Sequence, residues 1–553
     1  MIPSYAAGHS SRLKLVVETK VIAGFRRPRG VALPLLSRRR RYLVLAICCL
    51  SLFIVGLDVT IVNVAVPAIG RDFRAPVSGL QWTIDAYLLV IAGLLMLSGS
   101  TADRVGRRRV FQVGLAVFTL GSLACSLAPG LGWLIAFRAL QAVGGSMLNP
   151  VAMAIVTNTF TDPGERARAI GMWGSVFGLS LALGPVIGGA LVDSVGWRGV
   201  FWVNIPVGVA AIILAALYVP ESRAGTYRRP DAFGQILIMI TLAAVSYGII
   251  EGPGYGWGSA RILACFAVAA VALAVFLGYE PRRAQPVVDL RFFRSLPFSG
   301  AALTAVTGLA AFAGFLFLIT LYLQDVRGYR PLVAALFLLP MAVVMAVSAP
   351  LAGRMIARRG TRVPLLIAGA GIAAGGLLLT FLTGTSPVWY VLVCCLVFGI
   401  GQGWLNAPIT NNAVSGMPRS QAGVASGIAS TGRQVGSSLG VALMGSVLAA
   451  NLHGPLAAGF TAATRPGWWV VASLGAVVFA LALVTTGRAG KASAARTAAL
   501  IAGAEEKVPV RAGTTGCAGS GCSVPPATPP YPTGPRAAAA GSSCCSSAAR
   551  ACS

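Results

Sequence analysis

The sequence predicts an all-α polytopic membrane protein, on three observations. Only 11% of the 553 residues are charged, against about 25% in a soluble domain, and mean hydropathy is +0.78. The apolar residues fall into about fourteen runs, each near the roughly 20 residues that cross a bilayer. Arginines gather in alternate gaps between those runs, as the positive-inside rule requires.

Taken in order, residues 1–41 are basic and end in Arg38 to Arg41. They hold no apolar core followed by a small-residue cleavage site, so no signal peptide is expected and the arginines keep this tail in the cytoplasm. Apolar runs follow near 42–66, 78–100, 108–128, 131–157, 169–192, 198–219, 233–251, 261–279, 298–323, 332–353, 363–384, 387–411, 422–450 and 467–487. An even number returns the C-terminus to the cytoplasm. The inner gaps carry clusters such as Arg107/Arg108/Arg109, Arg282/Arg283 and Arg358/Arg359, while outer gaps carry scattered arginines such as Arg71, Arg198 and Arg327.

An internal repeat runs through these spans. Leu97–Gly99 recurs as Leu351–Gly353, Leu148-Asn149 as Leu405-Asn406, and Ala169–Gly171 as Ala425–Gly427, at offsets of 254, 257 and 256 residues. A steady offset describes two halves of six helices. The expected layout is an N-tail 1–41, a six-helix half 42–219, two inserted helices within 232–280, a six-helix half 298–487 and a disordered cytoplasmic tail 488–553.

The net charge of +28 lies in loops and tails, without the aromatic platform that nucleic-acid binding needs. Two histidines, His9 and His453, lie away from the apolar centres, and there is no phosphate-binding loop. Six of the eleven cysteines sit in apolar runs as small hydrophobes, and the five in the tail lack ligand spacing. No metal, cofactor, enzymatic activity or obligate protein partner is expected. The partners are the bilayer, protons and a small molecule. Forty Arg to four Lys points to a GC-rich, bacterial genome and the cell (inner) membrane.

Charge inside the membrane is costly, so ionisable residues there are functional candidates. Asp58, Asp85 and Arg138 are three such groups on the first, second and fourth spans. Counting about 1.5 Å per residue from the span ends sets Asp85 and Arg138 at a similar depth, with Asp58 in the outer third of its span. The expectation is that both acids carry transported protons and Arg138 tunes them. Arg433, midway along the thirteenth span, is expected to reach Asp85 across the halves, and Glu251 to end the seventh span in solvent. Trp82, Gln141, Trp404, Asn406 and Arg433 are candidate substrate contacts, with Tyr87, Phe177, Phe312 and Phe315 as further cavity aromatics.

Gly99, Asp103, Arg104, Gly106, Arg107 and Arg108 join the second and third spans, and this stretch resembles the GxxxDRxGRR loop of the major facilitator superfamily. The resemblance implies a gate that latches the two halves. Its second copy has Ala357 where Asp103 stands, so a latch through that acid is one-sided. Gly174/Gly178 and Ser180/Gly184/Gly188 form two small-residue faces suited to close helix approach. With Pro185 and Gly189 the stretch resembles the superfamily's antiporter motif GxxxGPxxGG, Ser180 replacing the first Gly. Leu57–Pro67 resembles the first-helix signature of its fourteen-span drug:proton antiporters, and Arg138–Gln141 its RxxQG element. These resemblances imply the major facilitator fold with fourteen spans and a proton antiporter exporting drugs by alternating access. The alternatives are an exporter dedicated to one metabolite or antibiotic, and a membrane sensor that moves nothing.

Overall fold

The computed structural model describes residues 37–223, 231–283, 288–415, 417, 421–454 and 456–506. Most of the basic N-tail and the cysteine-bearing tail lie outside them. Among the described residues thirteen helices are long and apolar enough to cross a membrane, which makes this a multi-pass membrane protein.

In chain order the helices are α1 (Arg38–Phe73), α2 (Val77–Val105), α3 (Arg107–Ser126), α4 (Leu131–Thr159), α5 (Pro163–Val195) and α6 (Asn204–Tyr218). Next come α7 (Ala232–Tyr255), α8 (Ala260–Tyr279), α9 (Leu296–Leu321), α10 (Pro331–Arg359), α11 (Arg362–Leu379) and α12 (Val388–Gly403). A short helix Asn406–Val414 prolongs α12, and α13 (Ala422–Asn451), α14 (Leu456–Thr485) and α15 (Arg488–Glu506) follow. Helices α1 to α6 pack mainly on one another, as do α9 to α14, while α7 pairs with α8 and leans on α2 and α13. The end where α1 begins and α14 finishes is called the terminal side below, and the other the far side.

α13 is of spanning length yet poor in apolar residues, with Arg433, Gln434, Ser437 and Ser438 in its middle. It is flanked by α2, α7, α9 and α14, so its polar residues meet protein rather than lipid. The expected disorder from 488 is corrected over its first stretch. Residues 488–506 form α15, an alanine-rich segment of high helix propensity. Ser493 Oγ accepts from Leu296 N at 3.0 Å, and Ile501 packs with Phe292, Phe298 and Ile428.

α1 is the centre of the first half, and most of its residues from Val44 to Ile69 are buried. Its fit to α5 is a seam of small residues. A Cβ on Gly184 would run into Thr60 Oγ1, and one on Gly188 would lie 2.8 Å from Ile61 Cγ1. Gly189 faces the other way, where a Cβ would lie 2.7 Å from Leu332 Cα of α10. Only glycine lets one helix approach α1 and α10 at once. The second small-residue face is corrected: Gly174 and Gly178 have nothing within 4 Å of where a Cβ would be, and both are exposed.

The halves meet on the far side. Gln81 Nε2 donates to Ala442 O at 2.6 Å, Gln324 Nε2 donates to Val64 O at 2.9 Å, and Arg330 pairs with Asp193 at 3.7 Å. On the terminal side α5 and α10 expose their inward faces, and Gly171 and Gly353 likewise have no neighbour within 4 Å. α2 and α13 stay close there, with Met96 Sδ 3.9 Å from the Cβ position of Gly427. The molecule is sealed on the far side and open between α5 and α10 on the terminal side.

One consequence is testable at Gly56, where a Cβ would strike Ser180 Oγ. Gly56→Ala is expected to lower stability by about 1–3 kcal/mol through overpacking, and Ser180→Gly to restore it. Thermal unfolding of the two single variants and the double variant in detergent measures this.

Candidate functional site

A buried polar cluster is built from five helices of the first half. Asp58 of α1 pairs with Arg138 of α4 at 2.6 Å, and both side chains are at most 2% exposed. The other oxygen of Asp58 accepts from Gln141 Nε2 at 2.9 Å and from Asn204 Nδ2 of α6 at 3.1 Å. Ser122 Oγ of α3 accepts from the same two amides and donates to Phe201 O at 3.0 Å. Arg138 also donates to Gln141 Oε1 at 2.7 Å and to Thr83 O of α2 at 3.3 Å, and lies 4.1 Å from the centre of the Tyr87 ring. The guanidinium and carboxylate therefore hold each other's charge in a dry setting, with amides and a carbonyl meeting what remains.

Arg138 and Gln141 reach the same acid because they lie one helical turn apart on α4. Asp58 meets them because α1 presents Thr60 and Ile61 to α5 while turning Asp58 the other way. Asn204 and Ser122 were missed by sequence reasoning. The available signal was an amide inside the apolar run 198–219, where a polar group needs a partner.

Several expectations are corrected. Asp85 does not join the Arg138 cluster. The Tyr87 ring meets Arg138, and Asp85, two residues earlier, projects from a different side of α2, about 160° around the helix. It is fully buried, and neither oxygen has a hydrogen bond of ordinary geometry among the described residues. The hydroxyls facing it belong to Ser246 of α7 and Ser438 of α13, which lie 3.4 Å apart. Arg433 does not reach Asp85. It bonds Ser430 Oγ at 3.1 Å and Thr410 Oγ1 at 2.7 Å, because it sits about 140° around α13 from Ser438. Gln141 is buried in the Asp58 cluster and faces no open space. Glu251 is not a solvated end: its Oε1 accepts from Trp82 Nε1 at 2.9 Å, tying α7 to α2 and taking Trp82 out of the centre. Phe315 stacks on Phe398 at 4.2 Å inside the second half, and Trp404 packs against the core where α12 breaks. Asn406 is exposed on the short helix beyond that break.

The gate stretch is mostly helix rather than loop. α2 continues through Gly99 and Asp103 to Val105, and Gly106 alone, at φ +128°, makes the turn into α3. Asp103 accepts from Arg107 Nη2 at 2.8 Å within the same motif. Arg108 N donates to Glu221 Oε1 at 3.1 Å, and Arg108 Nη2 donates to Ala216 O, both in the first half. Arg104 is exposed. Among the described residues Asp103 pairs with Arg107 of its own motif rather than with the second half.

The family model described as Major Facilitator Superfamily matches residues 48–441. The chain belongs to the major facilitator superfamily. Within that superfamily it is 40% identical over 418 residues to multidrug resistance protein Stp of Mycobacterium tuberculosis, covering 76% of this chain and 78% of that one. It is 36% identical over 443 residues to the tetracenomycin C resistance and export protein of Streptomyces glaucescens, covering 77% and 79%. It is 33% identical over 412 residues to multidrug efflux pump LfrA of Mycolicibacterium smegmatis, covering 74% and 81%. A crystal structure of a bacterial homologue of the human lysosomal transporter Spinster, described as inward-facing and unoccupied, aligns with TM-score 0.55 at 20% identity. It covers 84% of this chain and 98% of that one, a likeness of fold.

The cluster predicts an asymmetry. Asp58→Asn strands a buried arginine and is expected to cost about 3–5 kcal/mol, while Asp58→Leu with Arg138→Met stays closer to the parent. Thermal unfolding in detergent reads both.

Proposed function

We propose that this chain is a proton-coupled antiporter that exports drugs and other small amphipathic or cationic compounds from the cytoplasm by alternating access. The relatives named as multidrug resistance and efflux proteins support the cargo class. The observation that carries the coupling is Asp85, a buried acid without a charge partner among the described residues, placed where α2, α7 and α13 meet. The protein sits in the cell membrane with both termini cytoplasmic, and acts as a carrier rather than an enzyme.

Asp85 lies one turn below Gln81, whose amide joins α2 to Ala442 of α13 in the far-side seal. An ionised carboxylate in that dry joint has no counter-charge, so it disfavours the closed joint. A protonated one removes that penalty. Proton loss to the cytoplasm, with cargo bound, thus loosens the far-side seal and favours the outward-open state. Proton uptake from outside restores the seal. Asp58 is the other ionisable acid, held by Arg138, and its network keeps α1, α3, α4 and α6 together as the halves rock. When the terminal side closes, Asp103 and Arg104 come within reach of the second half, which suits the gating role of that stretch. Cargo enters between α5 and α10, past Asn406 and the Arg433–Thr410 pair. No cofactor takes part; the proton gradient supplies the energy.

A narrower reading, export of one antibiotic or metabolite, draws on the relative named for tetracenomycin C export. A compound panel separates the two: growth protection against one compound alone favours the narrow reading.

Purified protein in liposomes is expected to move ethidium uphill when a proton gradient is imposed, and to stop when a protonophore collapses it. Asp85→Asn should abolish uphill movement while leaving passive exchange of ethidium. Uphill movement that survives in Asp85→Asn and remains sensitive to the protonophore contradicts the proposal.

A further inference from the structure

A crevice of about 430 Å³ lies on the terminal side between the inserted helix α7 and α9, apart from both acids. Its back wall is Met96 of α2 and Gly432 of α13, its flanks are Ile238 of α7 and Ala302 and Leu303 of α9, and Phe293 closes its terminal end. The lining is overwhelmingly apolar. It extends from Ser299 to Val306 along α9, seven residues or about 10 Å, which places it at the depth of one leaflet.

The crevice opens toward lipid. Leu303 is 47% exposed and Phe293 43%, and both line the crevice. In a membrane-spanning chain those faces meet hydrocarbon, so hydrocarbon rather than water is what reaches the opening. Of the three polar residues in the lining, Gln235 and Ser299 donate to main-chain oxygens of Gly93 and Phe293, which leaves Thr431, and Arg294 follows the lining residue Phe293 in the chain. The Thr431 hydroxyl, on the back wall, is buried and has no hydrogen-bond partner among the described residues. Arg294, next to Phe293 at the terminal end, is exposed and makes no ion pair among the described residues, whereas nearby Arg291 is held by Asp289 at 2.7 Å. An apolar slot with a cation at its headgroup end fits a lipid of opposite charge.

We propose that this crevice is a lipid site: it takes one acyl chain of an anionic phospholipid, with the headgroup phosphate at Arg294. The bound chain touches α2 of the first half, α9 and α13 of the second, and α7 between them. The inserted helix pair thereby frames a lipid-binding wall that α2, α9 and α13 alone would leave open on one side.

The test uses the full chain in lipid nanodiscs with phosphatidylglycerol carrying a photoreactive diazirine on its acyl chain. After irradiation, label is expected to concentrate in peptides covering 296–306 and 428–435. Ala302→Phe and, independently, Gly432→Leu should remove that label while the protein remains monodisperse on size exclusion. Arg294→Gln should lower the preference for phosphatidylglycerol over phosphatidylcholine by about fivefold, the worth of one basic contact near a membrane surface. Label spread evenly over the lipid-facing helices, or unchanged by both filling variants, overturns the proposal. So does displacement of the label by excess ethidium, which would mark the crevice as a cargo site.

Discussion

The Asp58–Arg138 pair is the constraint on which the first half depends. Two charges are held at 2.6 Å in a place with almost no solvent, so the carboxylate and the groups that hold it need polar partners. Gln141, Asn204 and Ser122 meet that demand, and in doing so they fix where α3, α4 and α6 stand around α1. α1 can afford this only because its opposite face needs nothing polar. There Gly184 and Gly188 bring α5 against Thr60 and Ile61 by close packing alone.

A rigid half is useful only if the joint between halves is soft. Beside close packing such as Gly189 on Leu332, the far side is held by polar ties: the Gln81 amide onto α13, the Gln324 amide, just beyond α9, onto Val64 O, and the Arg330–Asp193 ion pair. Such ties exchange for water at modest cost. Asp85 lies directly beneath the first of them. The two acids differ in their surroundings: Asp58 is held by Arg138 and two amides, while Asp85 has no hydrogen bond of ordinary geometry among the described residues and lies where α2 meets α13, which is what the proposed coupling draws on. Ser246 brings the inserted α7 into that joint, and the Trp82–Glu251 bond anchors it nearby.

The fold was readable because membrane spans announce themselves by length and composition, and the Gly184–Gly189 seam by its spacing. That Arg138 would meet an acid was legible, since it is among very few cations deep in an apolar run, but the sequence reading set it against both Asp58 and Asp85. What failed was azimuth. Counting residues gives depth, and Asp85 and Arg138 do lie on neighbouring helices, but which side of α2 faces α4 depends on packing that a single helix does not encode. The same applies to Arg433, whose partner Thr410 lies on a short helix beyond the break at Trp404 that hydropathy reads through. Residues 488–506 were misread because polar, small-residue composition suits a surface helix as well as a loop, and only its docking on Leu296 and Phe298 decides.

In the proposed cycle Asp85 exchanges its proton as cargo moves. Infrared difference spectroscopy of the reconstituted protein reads this directly, through the carbonyl stretch of a protonated carboxylic acid in a dry site. Adding ethidium should bleach that band in the parent and produce no such change in Asp85→Asn. A band that bleaches equally in Asp85→Asn, or does not respond to cargo in the parent, would place the proton on another group and contradict the account.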